Sequence, residues 1–127
     1  MTGCEIMAIY ESAEDYLERI LMLKKKLDKV RSIDIAHDMG YSKPSISRAI
    51  KLLKESEYIV VEKDGNINFT TKGFELATSI YERHELLSNF LIKIGVNEEI
   101  AKKDACGIEH HLSDETFNAL KKHINTL

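Results

Sequence analysis

Long apolar runs are missing from this chain. The longest uninterrupted stretches, such as Tyr58-Ile59-Val60-Val61, fall far short of the roughly 20 residues that span a bilayer. The N-terminus has no basic segment followed by an apolar core and a small-residue cleavage site, so no secretory signal is expected. Cysteine is scarce, with only Cys4 and Cys106. Without an export signal they do not suggest a disulfide framework, and a reducing cytoplasm is the expected setting. Proline occurs once, at Pro44, and no Pro-, Gly- or Ser-rich linker or internal repeat interrupts the 127 residues. Alternation of apolar and polar residues is confined to one segment, so the fold is expected to be mainly α. Glycine elbows, oxyanion-hole loops and phosphate-binding glycine loops are absent. Cys106 and His110 could pair as nucleophile and base, but nothing accompanies them, and neither an enzyme nor a small-molecule substrate is expected.

A basic excess is also missing, since the net charge is −3. The distribution points the other way. Residues 1–23 carry −4, residues 24–63 carry +4, and residues 64–127 carry −3. A basic middle between acidic flanks is the footprint of a DNA-binding module inside a larger regulator.

Residues 1–11 show no firm periodicity and read as a loose arm. A first helix is expected from Ser12, as N-cap, to Lys26, with Tyr16, Leu17, Ile20, Leu21 and Leu23 inward. Lys24-Lys25-Lys26 ends it with cations that complement the helix dipole and keep the surface soluble. Ser32 caps a short helix over 33–39, with Ile35, Ala36 and Met39 inward, and Gly40 stops it. Tyr41-Ser42-Lys43-Pro44-Ser45 opens another helix, reaching about Ser56, with Pro44 tolerated in its first turn. Ile46, Ala49, Ile50, Leu52 and Leu53 form its inward side. Ser42, Lys43, Pro44, Ser45, Ser47, Arg48, Lys51 and Lys54 form the candidate DNA-facing set. Tyr58–Lys63 and Ile67–Thr70 flank Asp64-Gly65-Asn66, a hairpin signal. Helix, turn, helix and hairpin in that order make a winged helix-turn-helix. A long helix from Thr71 to Ile94 follows, with Leu76, Ile80, Leu87, Phe90, Leu91 and Ile94 at helical spacing. Asn97 caps a helix running through Leu112, and Ser113-Asp114-Glu115 caps a last one to about Asn125. The expected division is 1–74 for DNA binding and 75–127 for a helical region.

Cys106, Glu109 and His110 stand at i, i+3 and i+4, so a helix would present all three from one face. Thiolate, carboxylate and imidazole together are a metal-ligand set. Asp15 and Glu18 share a face of the first helix in the same way, and His84 lies on the long helix. Convergence of the six would explain buried carboxylates through a divalent cation. His111 points about 100° away from His110 and reads as a surface residue.

Tyr81-Glu82-Arg83-His84-Glu85-Leu86-Leu87, followed by Gly107-Ile108-Glu109-His110-His111-Leu112-Ser113, resembles the diphtheria-toxin-repressor family of metal-dependent transcriptional regulators. It is most similar to the manganese-transport-regulator branch, over about residues 11–125. The resemblance implies a homodimeric repressor of metal-uptake genes that binds double-stranded operator DNA. It implies an N-terminal winged helix-turn-helix, a helical metal-binding and dimerisation domain, and one or two Mn²⁺ or Fe²⁺ ions per subunit. No SH3-like C-terminal domain is expected. Position by position, Asp15, Glu18, His84, Glu109 and His110 match the manganese branch's ligands, and Cys106 stands where that branch often has Glu. Cysteine there is typical of the iron-responsive branch, which has Met at the position of Asp15, so the chain is a hybrid. Ser88 and Lys102 replace the Glu and His of the iron branch's second site, and that version of the site is not expected. The alternative is a winged-helix regulator whose Cys/Glu/His cluster is structural or redox-sensing.

Overall fold

The computed structural model describes residues 9–124, and side chains from Ala13 onward. Most of the expected N-terminal arm, Cys4 and the end at Asn125 lie outside the described residues. Among these residues there are six helices and one antiparallel hairpin, in the order α1 (Ile9–Lys26), α2 (Ser32–Met39), α3 (Lys43–Glu55), β1 (Ile59–Val61), β2 (Ile67–Phe69), α4 (Thr71–Lys93), α5 (Glu98–Glu109) and α6 (Asp114–Ile124). The mainly α fold with a winged helix-turn-helix is thus present. The chain forms two compact units, one spanning Ala13–Thr78 and one containing Ser79–Leu127.

The first unit holds most of α1, then α2, α3, the hairpin and the start of α4. Its core is aliphatic. Leu17, Ile20, Val30, Ile35, Ile46, Leu53, Ile59 and Ile67 are all essentially inaccessible. α2 packs on α3, and α3 on β1. Gly40 ends α2 at φ 71°, and its N–H donates to the Ala36 carbonyl, as an αL cap requires. Ser42 caps α3, with its Oγ accepting from the Ser45 N–H at 3.3 Å, and Pro44 sits in the first turn. The hairpin pairs Ile59 with Phe69 and Val61 with Ile67. Its turn is tied back to the α1–α2 connection. The Ile67 N–H donates to the Val30 carbonyl at 2.7 Å, the Val30 N–H to Asn66 Oδ1 at 3.1 Å, and Lys29 Nζ to Asp64 Oδ2 at 2.8 Å. Gly73, in the first turn of α4, lies against the Tyr58 carbonyl so closely that a Cβ there would stand 1.8 Å from that oxygen.

The second unit contains the rest of α4, then α5 and α6, around Ile80, Leu87, Ala101, Ala105, Phe117 and Ile124. Asn97 caps α5, with its Oδ1 accepting from the Glu99 N–H at 3.0 Å. Ser113 caps α6, with its Oγ accepting from the Thr116 N–H at 3.1 Å.

Several expectations need correction. α1 begins at Ile9, not Ser12, because Glu11, Ala13 and Glu14 are good helix formers and nothing breaks the chain before Ser12. Arg31, not Ser32, is the residue before α2; its N–H donates to Asp34 Oδ2 at 2.9 Å, which closes the first turn. Leu52 is 41% exposed and Ile94 61% exposed, so neither is core. Ile94 falls past the end of α4, and Gly95 at φ 107° turns the chain. α5 stops at Glu109, with His110 as its C-cap, instead of running to Leu112. Lys24 does more than complement the dipole, since its Nζ donates to Asn68 Oδ1 on β2 at 2.9 Å.

Candidate metal centre and DNA-facing helix

In the second unit, the side chains of α4 and α5 meet around one carboxylate. Glu109 ends α5 and its side chain has no exposed surface. Its Oε2 lies 3.1 Å from His84 Nδ1, across from α4. Its Oε1 lies 3.3 Å from His110 Nε2, on an imidazole that is 1% exposed. That second pair makes no hydrogen bond, so Oε1 is left without a donor. Cys106 completes the set, and one donor atom each from Cys106, Glu109 and His110 lies within 4.8 Å of the others. His110 keeps helical angles at its cap position, φ −82° and ψ −14°, so the shared face survives the early end of α5.

A buried carboxylate at the negative end of a helix is doubly unfavourable unless positive charge is supplied. Two imidazoles, a thiolate and an oxygen lacking a hydrogen bond fit a divalent transition metal. Donation by Cys106 to a cation needs its thiolate form. His111 is exposed, in keeping with a surface role.

In the first unit, α1 carries Asp15, half-buried, and Glu18, 7% exposed, one turn apart. Thus four of the six expected ligands are gathered in one unit, and two share a helix face in the other. Between those two carboxylates stands Tyr16, whose ring meets the Tyr41 ring edge-on at 6.2 Å. Tyr41 begins the turn into α3. Burial, then the neighbouring Tyr41, pushes the Tyr16 hydroxyl above its ordinary value, with Arg48 acting against them. Arg19, one residue past Glu18, pairs with Asp38 on α2 at 3.4 Å.

On α3, Ser42, Lys43, Pro44, Ser47, Arg48, Lys51 and Lys54 are exposed, and Ser45 is half-buried. Arg48 Nη2 donates to Ser45 Oγ at 3.4 Å, and Ser42 Oγ to Ser45 Oγ at 2.9 Å. The first turn of α3 therefore presents linked hydroxyls and a guanidinium to solvent, the groups that read base edges and phosphates.

Known proteins are similar to this chain in sequence and fold. Residues 8–67 match the N-terminal DNA binding domain of the iron dependent repressors, and residues 70–127 match their metal binding and dimerisation domain. The transcriptional regulator MntR of Escherichia coli O6:H1 is 36% identical over 111 residues, covering 87% of this chain and 72% of that protein. The chain belongs to the iron-dependent repressor family. A second family member, the HTH-type transcriptional regulator MntR of Geobacillus thermodenitrificans, is 41% identical over 87% of this chain and 77% of its own length. A solved manganese-dependent transcriptional repressor in complex with manganese superposes with a TM-score of 0.80 at 27% identity, covering 89% of this chain. This chain spans about half of that repressor, 52%.

Two features of the site escaped the sequence. Arg83 holds the corner after α5, and Tyr16 joins the face of α1 that carries Asp15 and Glu18 to the turn before α3. Neither residue type at those positions carries a signal by itself, because both contacts are set by packing between elements.

Proposed function

We propose that this chain is a cytoplasmic, homodimeric, metal-activated repressor that binds double-stranded operator DNA of metal-uptake genes. It acts as a regulator rather than an enzyme. The proposed ligands are Asp15, Glu18, His84, Cys106, Glu109 and His110, and the proposed cation is Mn²⁺ or Fe²⁺, one or two per subunit. Residues 1–74 serve as the DNA-binding domain and 75–127 as the metal-binding and dimerisation domain. The observation that carries this reading is the Glu109 carboxylate, fully buried between His84 and His110 with one oxygen lacking a hydrogen bond.

Hard carboxylates favour Mn²⁺, and the Cys106 thiolate shifts preference toward Fe²⁺. Bound, the cation supplies positive charge to Glu109 and its neighbours. The ligands come from α1, α4 and α5, so loading restrains α1, the helix that Tyr16, Arg19 and Lys24 tie to the rest of the DNA-binding unit. In a dimer the two α3 helices enter successive major grooves, roughly 34 Å apart. Ser42, Ser45, Ser47 and Arg48 face bases, and Lys43, Lys51 and Lys54 lie near phosphates, with Pro44 shaping the first turn. By linkage, DNA tightens metal as much as metal tightens DNA.

The test is fluorescence anisotropy with promoter DNA under EDTA, Mn²⁺, anaerobic Fe²⁺ and Zn²⁺, with reduced protein. Metal-dependent binding that disappears in a folded Glu109→Ala variant is the expected result. Equal binding in EDTA supports the structural or redox reading of the cluster instead.

A further inference from the structure

Arg83 is the residue immediately before His84, and its side chain is only 13% exposed. Its guanidinium is engaged with the end of α5 and the start of α6. Nη1 donates to the Glu109 carbonyl at 3.2 Å and to the Leu112 carbonyl at 2.7 Å. Nη2 pairs with the Asp114 carboxylate. The guanidinium carbon stands 5.0 Å from the centre of the Phe117 ring. Since α5 ends at Glu109, that residue's carbonyl has no following helical turn to satisfy it. Arg83 supplies the missing donor and places a cation at the negative end of the helix.

We propose that Arg83 is a positioning residue for the metal centre, fixing the main chain of Glu109 and the corner at His110 so that their side chains stand ready beside His84. The inference rests on the metal-binding reading above. α4 grips Glu109 twice, through His84 on the carboxylate and through Arg83 on the carbonyl. The second grip does not depend on the charge of any ligand. It therefore holds the site's shape before loading, the work that groups behind the ligands do in metal sites.

Electrostatics and positioning predict opposite signs, which makes the inference testable. A guanidinium near a cation site repels the cation, so if charge were its only effect, removing it would tighten binding. If Arg83 positions the ligands, removing it weakens binding by about 10–100-fold, the usual effect of losing such a partner. The experiment measures Mn²⁺ dissociation constants by calorimetry on full-length reduced protein. Arg83→Met keeps the length and the contact with Phe117, and Arg83→Lys keeps the charge but loses the fork. Both are expected to weaken Mn²⁺ binding, with Arg83→Lys recovering only part of the loss. Both should also shift the visible bands of the Co²⁺-loaded protein, which a loss of stability alone does not move. Ile124→Val serves as a destabilised control with an unchanged constant. Unchanged or tighter Mn²⁺ binding in a folded Arg83 variant overturns the inference; if Arg83→Met does not fold, Arg83→Lys decides. Glu109→Ala run alongside separates the two failures, because if it too binds Mn²⁺ like the parent, the site assignment itself is wrong.

Discussion

Glu109→Gln isolates the charge of the central carboxylate from its shape. Glutamine has nearly the same volume and retains an oxygen and an amide that can meet His84 Nδ1, now 3.1 Å from Oε2. What disappears is a formal charge on a side chain with no exposed surface and one oxygen without a donor. Burying a neutral amide costs far less than burying an ion, so the metal-free variant is expected to melt no lower than the parent. The loaded state behaves in the opposite way. At a free metal concentration 100 times the dissociation constant, ligand binding stabilises the native state by about 2.7 kcal/mol. For a domain of this size, about 4 °C of melting temperature accompanies each kcal/mol, so the parent should gain roughly 10 °C with metal. Glu109→Gln should gain less than about 2 °C at the same metal concentration by the same conversion. Differential scanning fluorimetry of both proteins, reduced, with EDTA and with Mn²⁺, provides the four melting temperatures. An equal metal-induced rise in the two proteins would refute the reasoning, and so would a metal-free variant that melts well below the parent, since the carboxylate would then be a structural ion pair.

Other consequences can be checked independently. Gly73→Ala places a Cβ 1.8 Å from the Tyr58 carbonyl oxygen, and the main-chain shift it forces should lower stability by about 1–3 kcal/mol in urea unfolding; an unchanged midpoint would show that the hairpin and α4 are loosely joined. Arg48→Ala, which removes an exposed side chain beside Ser45, should cost about 1–3 kcal/mol of specific DNA affinity by anisotropy while leaving Mn²⁺ binding intact. The Asp64 carboxyl is held below its ordinary value of 3.8, first by the hydrogen bond from Lys29 and then by the Asn66 N–H. A lowered carboxyl stabilises the fold above its unfolded value and loses that effect as pH falls through the folded one. The Asn66 amide resonance should therefore titrate with a midpoint below 3.8, rising toward it in Lys29→Met.

Local signals suffice where the cause is local. Ser42 and Pro44 mark the start of α3, Gly40 the end of α2, Asn97 and Ser113 the starts of α5 and α6, and each cap is made by a side chain or turn within four residues. The errors fall where a distant element decides. Nothing between Cys106 and Leu112 interrupts helical spacing, yet α5 stops at Glu109, where Arg83 takes the carbonyl from 26 residues away. In the sequence Lys24 is one of three equivalent lysines, and Asn68, 44 residues on, selects it. The grouping of Cys106, Glu109 and His110 on one face was legible from spacing, because a helix face is a local property. The approach of His84 to Glu109 was not legible, because it depends on how α4 and α5 pack. The family resemblance supplied that pairing where periodicity could not.

The DNA-binding unit shows why α1 is a sensible place for two of the proposed ligands. Asp15 and Glu18 have as chain neighbours residues that reach the other parts of the reading head. Tyr16 meets Tyr41, the residue before the α3 cap, and Arg19 pairs with Asp38 near the end of α2. Farther along, Lys24 holds Asn68 on β2, and Asn68 Nδ2 in turn donates to Glu62 Oε1 beside the turn of the wing. Turn, first helix and wing are each fastened to the same short stretch of helix. A restraint applied at Asp15 and Glu18 therefore bears on all three through contacts no more than one side chain long, without any rearrangement of the buried core. Exposed ion pairs such as Arg19–Asp38 are weak singly, and the aromatic contact and the half-buried Lys24–Asn68 bond carry more of the connection. Cutting either of those two while leaving the ligands intact should uncouple metal binding from DNA binding, whereas cutting Arg19–Asp38 alone should not.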